Sequence, residues 1–337
     1  MSTLSNITQE TRLILKIIAG LGIFFIIIFF LFQGFLILRN SFFPAKPSAP
    51  EEKFGKINNI RLPHQVDNLS YSINTVSGLL PSAPDRMDVY QISKPSVSLL
   101  SLEKIRTNLT DLGYKDEENK ISDSEYEWKN SLGMEIRYDI TTNNFDIVSS
   151  ESAQQDLAQD LAFDKEGVIE TISSFLNSLN INTNDIDFDN SLFSYFIVKD
   201  GTTSPTAKES EANLVKVDLV QNNLNNYKIS YPNLNGSSMY FELVNFDRRL
   251  EIVSAHFNHS VVNTNSFSSY GIKTPTEAFS ELKEGKALIY NNSRSNKIDI
   301  LDISRGYYLE DGVNEYLLPI YVFSGNDFKA YVPALKD

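Results

Sequence analysis

Tyr316-Leu317-Leu318-Pro319-Ile320-Tyr321-Val322-Phe323 decides how the C-terminal part of this chain folds. The run carries no charge, and laid out as a strand it is apolar on both faces, so both faces must be covered. That makes it a central strand, and its neighbours in sequence are read as its cover. Upstream, Thr274-Pro275-Thr276-Glu277 puts Thr at an N-cap, Pro at the first helical position and Glu three residues after the Thr. This is a capping box, in which Thr and Glu side chains satisfy each other's backbone amides. Ala278, Phe279 and Leu282 form the inner face of the helix, and Gly285 ends it. Strands are expected at Ala287–Tyr290, Lys297–Ile303 and Phe328–Val332.

The same order, a helix followed by strands, recurs twice upstream. Leu102, Ile105, Leu109 and Leu112 form a helical stripe closed by Gly113. Strand-like runs precede it at Tyr71–Val76 and Met87–Ile92, and others follow at Glu125–Asn130, Met134–Thr141 and Phe145–Ser149. Further on, Asp164 is placed to cap a helix with the stripe Val168, Ile172, Phe175, Leu176, Leu179. Strands are expected at Leu192–Lys199 and Leu214–Val220, separated by a polar loop from Asp200 to Glu211. Met239–Phe246 and Leu250–Phe257 read as a hairpin turning at Asp247-Arg248. The expected class is α+β, as tandem modules of one helix on an antiparallel sheet, spanning residues 67–150, 160–263 and 270–337.

Ahead of these lies a stretch of another kind. Ile17 to Leu38 is 22 residues without a charge, enough at about 1.5 Å per residue to span a hydrocarbon core of roughly 30 Å. It is longer than the apolar region of a cleaved signal peptide. The expectation is a short tail at residues 1–12, a single transmembrane helix at 13–39 and a proline-rich stalk at 40–66 with Pro44, Pro47, Pro50 and Pro63. Flanking charges are balanced, Arg12 and Lys16 against Arg39 and Lys46. The large C-terminal part favours a cytoplasmic N-terminus and an extracytoplasmic domain, the arrangement of a signal anchor in the cell membrane.

Composition narrows the chemistry. Net charge is −13, and residues 1–50 hold four basic residues and one acid, which leaves residues 51–337 at −16. Such a body repels phosphate backbones, so a nucleic-acid partner is excluded on charge. The absence of cysteine removes disulfides, thiolate metal sites and thiol nucleophiles.

Of the three histidines, His64 falls in the stalk, and His256 and His259 lie three apart in a strand, a spacing that turns them to opposite faces. Asp185, Asp187 and Asp189 resemble the start of a calcium loop, but Asn190 and Phe196 stand where its Gly and Glu belong. Gly271-Ile272-Lys273-Thr274 lacks the upstream glycine of a phosphate loop. Trp128 reads as a core or cross-strand residue. No catalytic residue, cofactor or metal is assigned.

The C-terminal stretch carries a resemblance. Phe279-Ser-Glu-Leu-Lys-Glu-Gly285, then Gly306-Tyr307-Tyr308, then Leu317–Phe323 running on to Tyr331-Val332-Pro333-Ala334, resembles PepSY-like domains and the YycH/YycI-type membrane-anchored regulators over residues 274–335. The resemblance implies a non-enzymatic, membrane-anchored extracytoplasmic module that binds and restrains a sensor kinase or modulates a peptidase. The matching positions are apolar or turn residues, so none transfers as a functional residue. The function expected is a binding or regulatory module acting on another membrane or envelope protein through a sheet edge or an apolar helix face. The alternatives are a structural component of an envelope or secretion complex and, less favoured, an enzyme.

Overall fold

The computed structural model describes residues 21–22, 24–33, 49–60, 69–93, 99–115, 117–149, 163–234, 236–312 and 314–336. The chain divides into two compact units, Met1–Ala49 and Pro50–Asp337. In the first, residues 21–22 and 24–33 are helical. Among the described residues no helix is long and apolar enough to cross a membrane. This overturns the single-pass, signal-anchor reading and the cell-membrane localisation that followed from it. The rest of the expected span 13–39 lies outside the described residues, as do 40–48 and 61–66 of the expected stalk.

The second unit is mostly β-sheet, and here the α+β expectation of three modules, each with its own helix and sheet, is corrected. Eighteen strands are described against three α-helices: α1 (Leu99–Asp111), α2 (Lys165–Ser178) and α3 (Pro275–Lys283). The strands assemble without regard to the three stretches. Nine form one antiparallel sheet in the order β3 (Glu117–Lys120), β4 (Glu125–Lys129), β5 (Met134–Asp139), β6 (Phe145–Ser149), β12 (Arg249–Phe257), β11 (Met239–Phe246), β9 (Leu214–Gln221), β7 (Ile186–Lys199), β8 (Thr202–Thr206). The first and second stretches thus share a sheet, joined where Phe145, Asp146 and Ile147 of β6 pair with Phe257, His256 and Ala255 of β12. The physical reason is the open edge that the β3–β6 meander leaves at β6; pairing it hides its amides and joins two apolar faces into one.

On that joined face the alternation points Ile136, Tyr138, Phe145, Ile147, Phe241 and Phe257 inward, all nearly fully buried. Phe145 stacks on Tyr138 (centroids 5.9 Å apart) and on Phe257 (5.1 Å). Phe175 of α2 meets Phe145 edge-on at 5.8 Å. α2 begins as expected: the Asp164 side chain accepts from the Gly167 amide, and Val168, Ile172 and Leu176 are buried. α1 covers the other half with Ile105 and Leu109, and Gly113 follows it at φ +92°, a left-handed turn suited to glycine.

The seven-stranded sheet is built around β17 (Tyr316–Gly325), with β16 (Asp302–Tyr308) along one side and β10 (Lys228–Ser230) beyond it in parallel. Its other side is divided. β18 (Phe328–Pro333), itself flanked by β14 (Leu288–Asn291), pairs with Ile320–Gly325, and β2 (Arg86–Ile92) pairs with Tyr316 and Leu317. β13 (Val262–Gly271) completes the sheet beyond β2. β17 is the central strand that its sequence predicts, buried from Leu317 to Phe323.

Pro319 explains why one flank has two partners. Its carbonyl accepts from Ala334, so its nitrogen faces that same flank, in the gap between β18 and β2. A proline inside a sheet needs a site where no amide is wanted, and the change of neighbour supplies it. The capping box forms as expected, with the Thr274 hydroxyl accepting from the Glu277 amide and the Glu277 carboxylate accepting from the Thr274 amide. Phe279 of α3 packs on Phe323 at 6.0 Å. A separate parallel pair, β1 (Ser70–Ile73) with β15 (Lys297–Ile300), accounts for the remaining strands.

Candidate functional site

The two described histidines face opposite sides of the nine-stranded sheet, and each has its own carboxylate. His256, on β12, sits opposite Asp146 of β6 with Nδ1 2.6 Å from Oδ1. The Asp146 hydrogen bond, outweighing partial burial, raises the His256 pKa above the usual imidazole value. Tyr240 lies against His256 on one side and receives the Lys216 ammonium over its ring, 4.3 Å from the centroid.

His259 lies just past β12 and is buried. Its Nε2 is 3.0 Å from an Asp185 oxygen. Gln221, at the end of β9, donates to Asp185 and to the Ser260 carbonyl, and the buried Tyr231 hydroxyl donates to Gln221. Burial pushes the Asp185 carboxyl up, but the His259 bond and charge, with Gln221, bring it below the ordinary aspartate value.

Chemically, this set is a clasp. It ties the end of β9 and the start of β7 to the crossing from β12 to β13. No hydroxyl among the described residues bonds either imidazole, so neither histidine is set to activate a serine. Nor is any group of three metal-ligating side chains found among the described residues. Asp185, Asp187 and Asp189 do not converge. Asp185 is held by His259 and Gln221, and both oxygens of Asp187 accept from Asn190. Lys273 pairs with Glu281 at 2.9 Å and donates to the Pro333 carbonyl, which pins α3 to β18. Trp128 is buried, stacked on Tyr126 at 5.8 Å, with its indole N–H donating to Glu118. His64 lies outside the described residues.

A concavity lies on the helix-covered face of the large sheet. α2, the segment Leu112–Tyr114 that follows α1, and the β4–β5 and β11–β12 turns enclose a groove of about 760 Å³, floored by Tyr114, Met134, Phe175 and Ile252. Leu132, at the β4–β5 turn, lines it while half exposed (50%), and the acidic Glu170 and Glu251 stand along it with Arg248. The sequence leads to the expectation of an apolar helix face but not of the groove, because the periodicity of α2 does not show which turns will stand beside it. Asp200–Glu211 likewise reads as a plain loop. In fact Asp200 (φ +51°) and Gly201 (φ +71°) make a tight hairpin turn, and Thr202–Thr206 returns along β7 as the edge strand β8. The Asp-Gly pair was the signal that could have found it.

No family model matches the chain, and no curated protein is similar to it. Among solved structures, the crystal structure of an uncharacterized protein from Eubacterium rectale ATCC 33656 is similar at a TM-score of 0.36 and 13% identity, over 76% of this chain and 82% of that one.

Proposed function

We propose that this chain is a non-enzymatic binding module that holds a segment of another protein in the groove between α2 and the segment that follows α1. The observation that carries the reading is the groove itself: about 760 Å³, open, with an apolar floor and the half-exposed Leu132. That volume lies in the range of ligand sites, and a floor of large apolar side chains gives binding energy without reaction chemistry. The occupant is a polypeptide with an apolar centre and basic flanks, since Glu170 and Glu251 stand along the groove and residues 51–337 carry a net charge of −16. On the resemblance of residues 274–335 to PepSY-like regulators, we extend the proposal to an interaction that alters the partner's activity.

The test is site-specific photocrosslinking in the native host, with the reactive residue at Leu132 in one strain and at Thr203 on the exposed edge strand β8 in another. A defined adduct from Leu132 and none from Thr203 is expected, and Leu132→Asp should weaken the purified interaction about tenfold or more. Adducts from Thr203 alone, or from neither position, overturn the reading.

A further inference from the structure

A second concavity, about 470 Å³, opens beside β10 at the four-residue excursion of β7 between Asp187 and Leu192. Lys228 of β10 and Lys329 of β18 both line it, together with Tyr331 and Leu192, which is half exposed. Among the described residues neither lysine forms an ion pair. Lys329 donates to the Leu234 carbonyl, in the loop that follows Tyr231. Burial, and after it the charge of Lys228, lower the Lys329 pKa from the ordinary lysine value. Asp187 also lines the pocket, but both its oxygens are engaged by Asn190.

Two cations against the one carboxylate of Asp187, whose charge the Asn190 bonds leave in place, make this concavity net positive in a body with a net charge of −16. Their mutual repulsion and desolvation are relieved by an anion between them. We propose that this pocket binds a small organic anion, a carboxylate or phosphate group between Lys228 and Lys329 with a short apolar body against Leu192 and Tyr331. The site shares no residue with the groove beside α2, so it stands or falls apart from that proposal.

The experiment is calorimetric titration of the full chain with hexanoate, hexyl phosphate and, as the uncharged control, hexanol. Both anions should bind and hexanol should bind about tenfold more weakly or not at all, the ratio expected for a charge-assisted hydrogen bond. Lys228→Gln should weaken the anions about tenfold, and Lys228→Arg should restore most of the affinity. Lys329→Met should do the same as Lys228→Gln. If it disturbs the loop that Lys329 holds, the exposed Lys228 decides alone. Equal binding of hexanol and hexanoate, no anion binding at about 10 mM, or unchanged binding in Lys228→Gln overturns the proposal.

Discussion

The two large sheets are assembled by opposite rules. In the nine-stranded sheet most neighbours are close in sequence: β3 to β6 form a meander, β7 and β8 a hairpin, β11 and β12 another. In the seven-stranded sheet β17 takes part of one flank from β2, paired at Gln91 and Tyr90, and β10 reaches β16 in parallel. The first sheet draws its stability from a broad aromatic core under two helices. The second depends on a few close fits at its centre, Pro319 in the gap between two strands and Gly306 beneath β10. A hypothetical Cβ on Gly306 meets the Lys228 carbonyl at 2.7 Å, closer than carbon and oxygen approach. One sheet should tolerate small steric errors and fail on loss of volume; the other should do the reverse.

The hardest test of that contrast is Phe145→Ala, which removes the ring that joins β5, β12 and α2. It should cost about 3–5 kcal/mol, read as a lowered midpoint in chemical denaturation. A loss under about 1 kcal/mol would mean that the joint between the first and second stretches contributes little. Next in size is Gly306→Ala, expected to cost about 1–3 kcal/mol by overpacking. Hydrogen exchange should show β10 losing protection while β11 and β12 keep theirs. Uniform loss across both sheets would break the distinction between them.

The smallest effect belongs to Asp146→Asn. His256 has a folded pKa above its unfolded value of 6.5. Its contribution is therefore fully present below about pH 6.5 and is lost as pH rises through the folded pKa. The pair is part-exposed, so the effect on stability should stay below about 1 kcal/mol. The direct readout is the His256 imidazole titration followed by NMR, which should move down towards 6.5 in the variant. No movement would show that Asp146 does not hold the imidazolium.

What the sequence reveals follows the same division. Local signals read correctly: the Thr274 capping box, the Asp164 cap, the β11–β12 hairpin, and β17 as a strand covered on both faces. Each depends on residues within about twenty positions of one another. The partners of those elements were not legible. Nothing in Met87–Ile92 says that it leaves its own stretch for β17, and nothing in Asp185, Gln221, Tyr231 and His259 says that they meet. β13 was missed because Val262-Asn263-Thr264-Asn265-Ser266 is too polar to read as a strand, while its ladder with β2 rests on backbone hydrogen bonds that any residue can form. The length and apolarity of residues 17–38 point to a membrane span, but among the described residues no helix is long and apolar enough to cross a membrane.

The pairing of β2 with β17 also sets a clock. Tyr316 leaves the ribosome 225 residues after its partner Gln91, a delay of about 10–45 s at ordinary rates of synthesis. The β3–β6 meander can close at once, while Val89 and Tyr90, buried in the finished protein, wait first for β13 and then, on the other flank, for β17. A nascent chain that stalls before residue 262 therefore displays β2 unpaired on both flanks, and one that stalls before residue 316 still leaves its β17 flank open, the kind of surface that chaperones and proteases recognise.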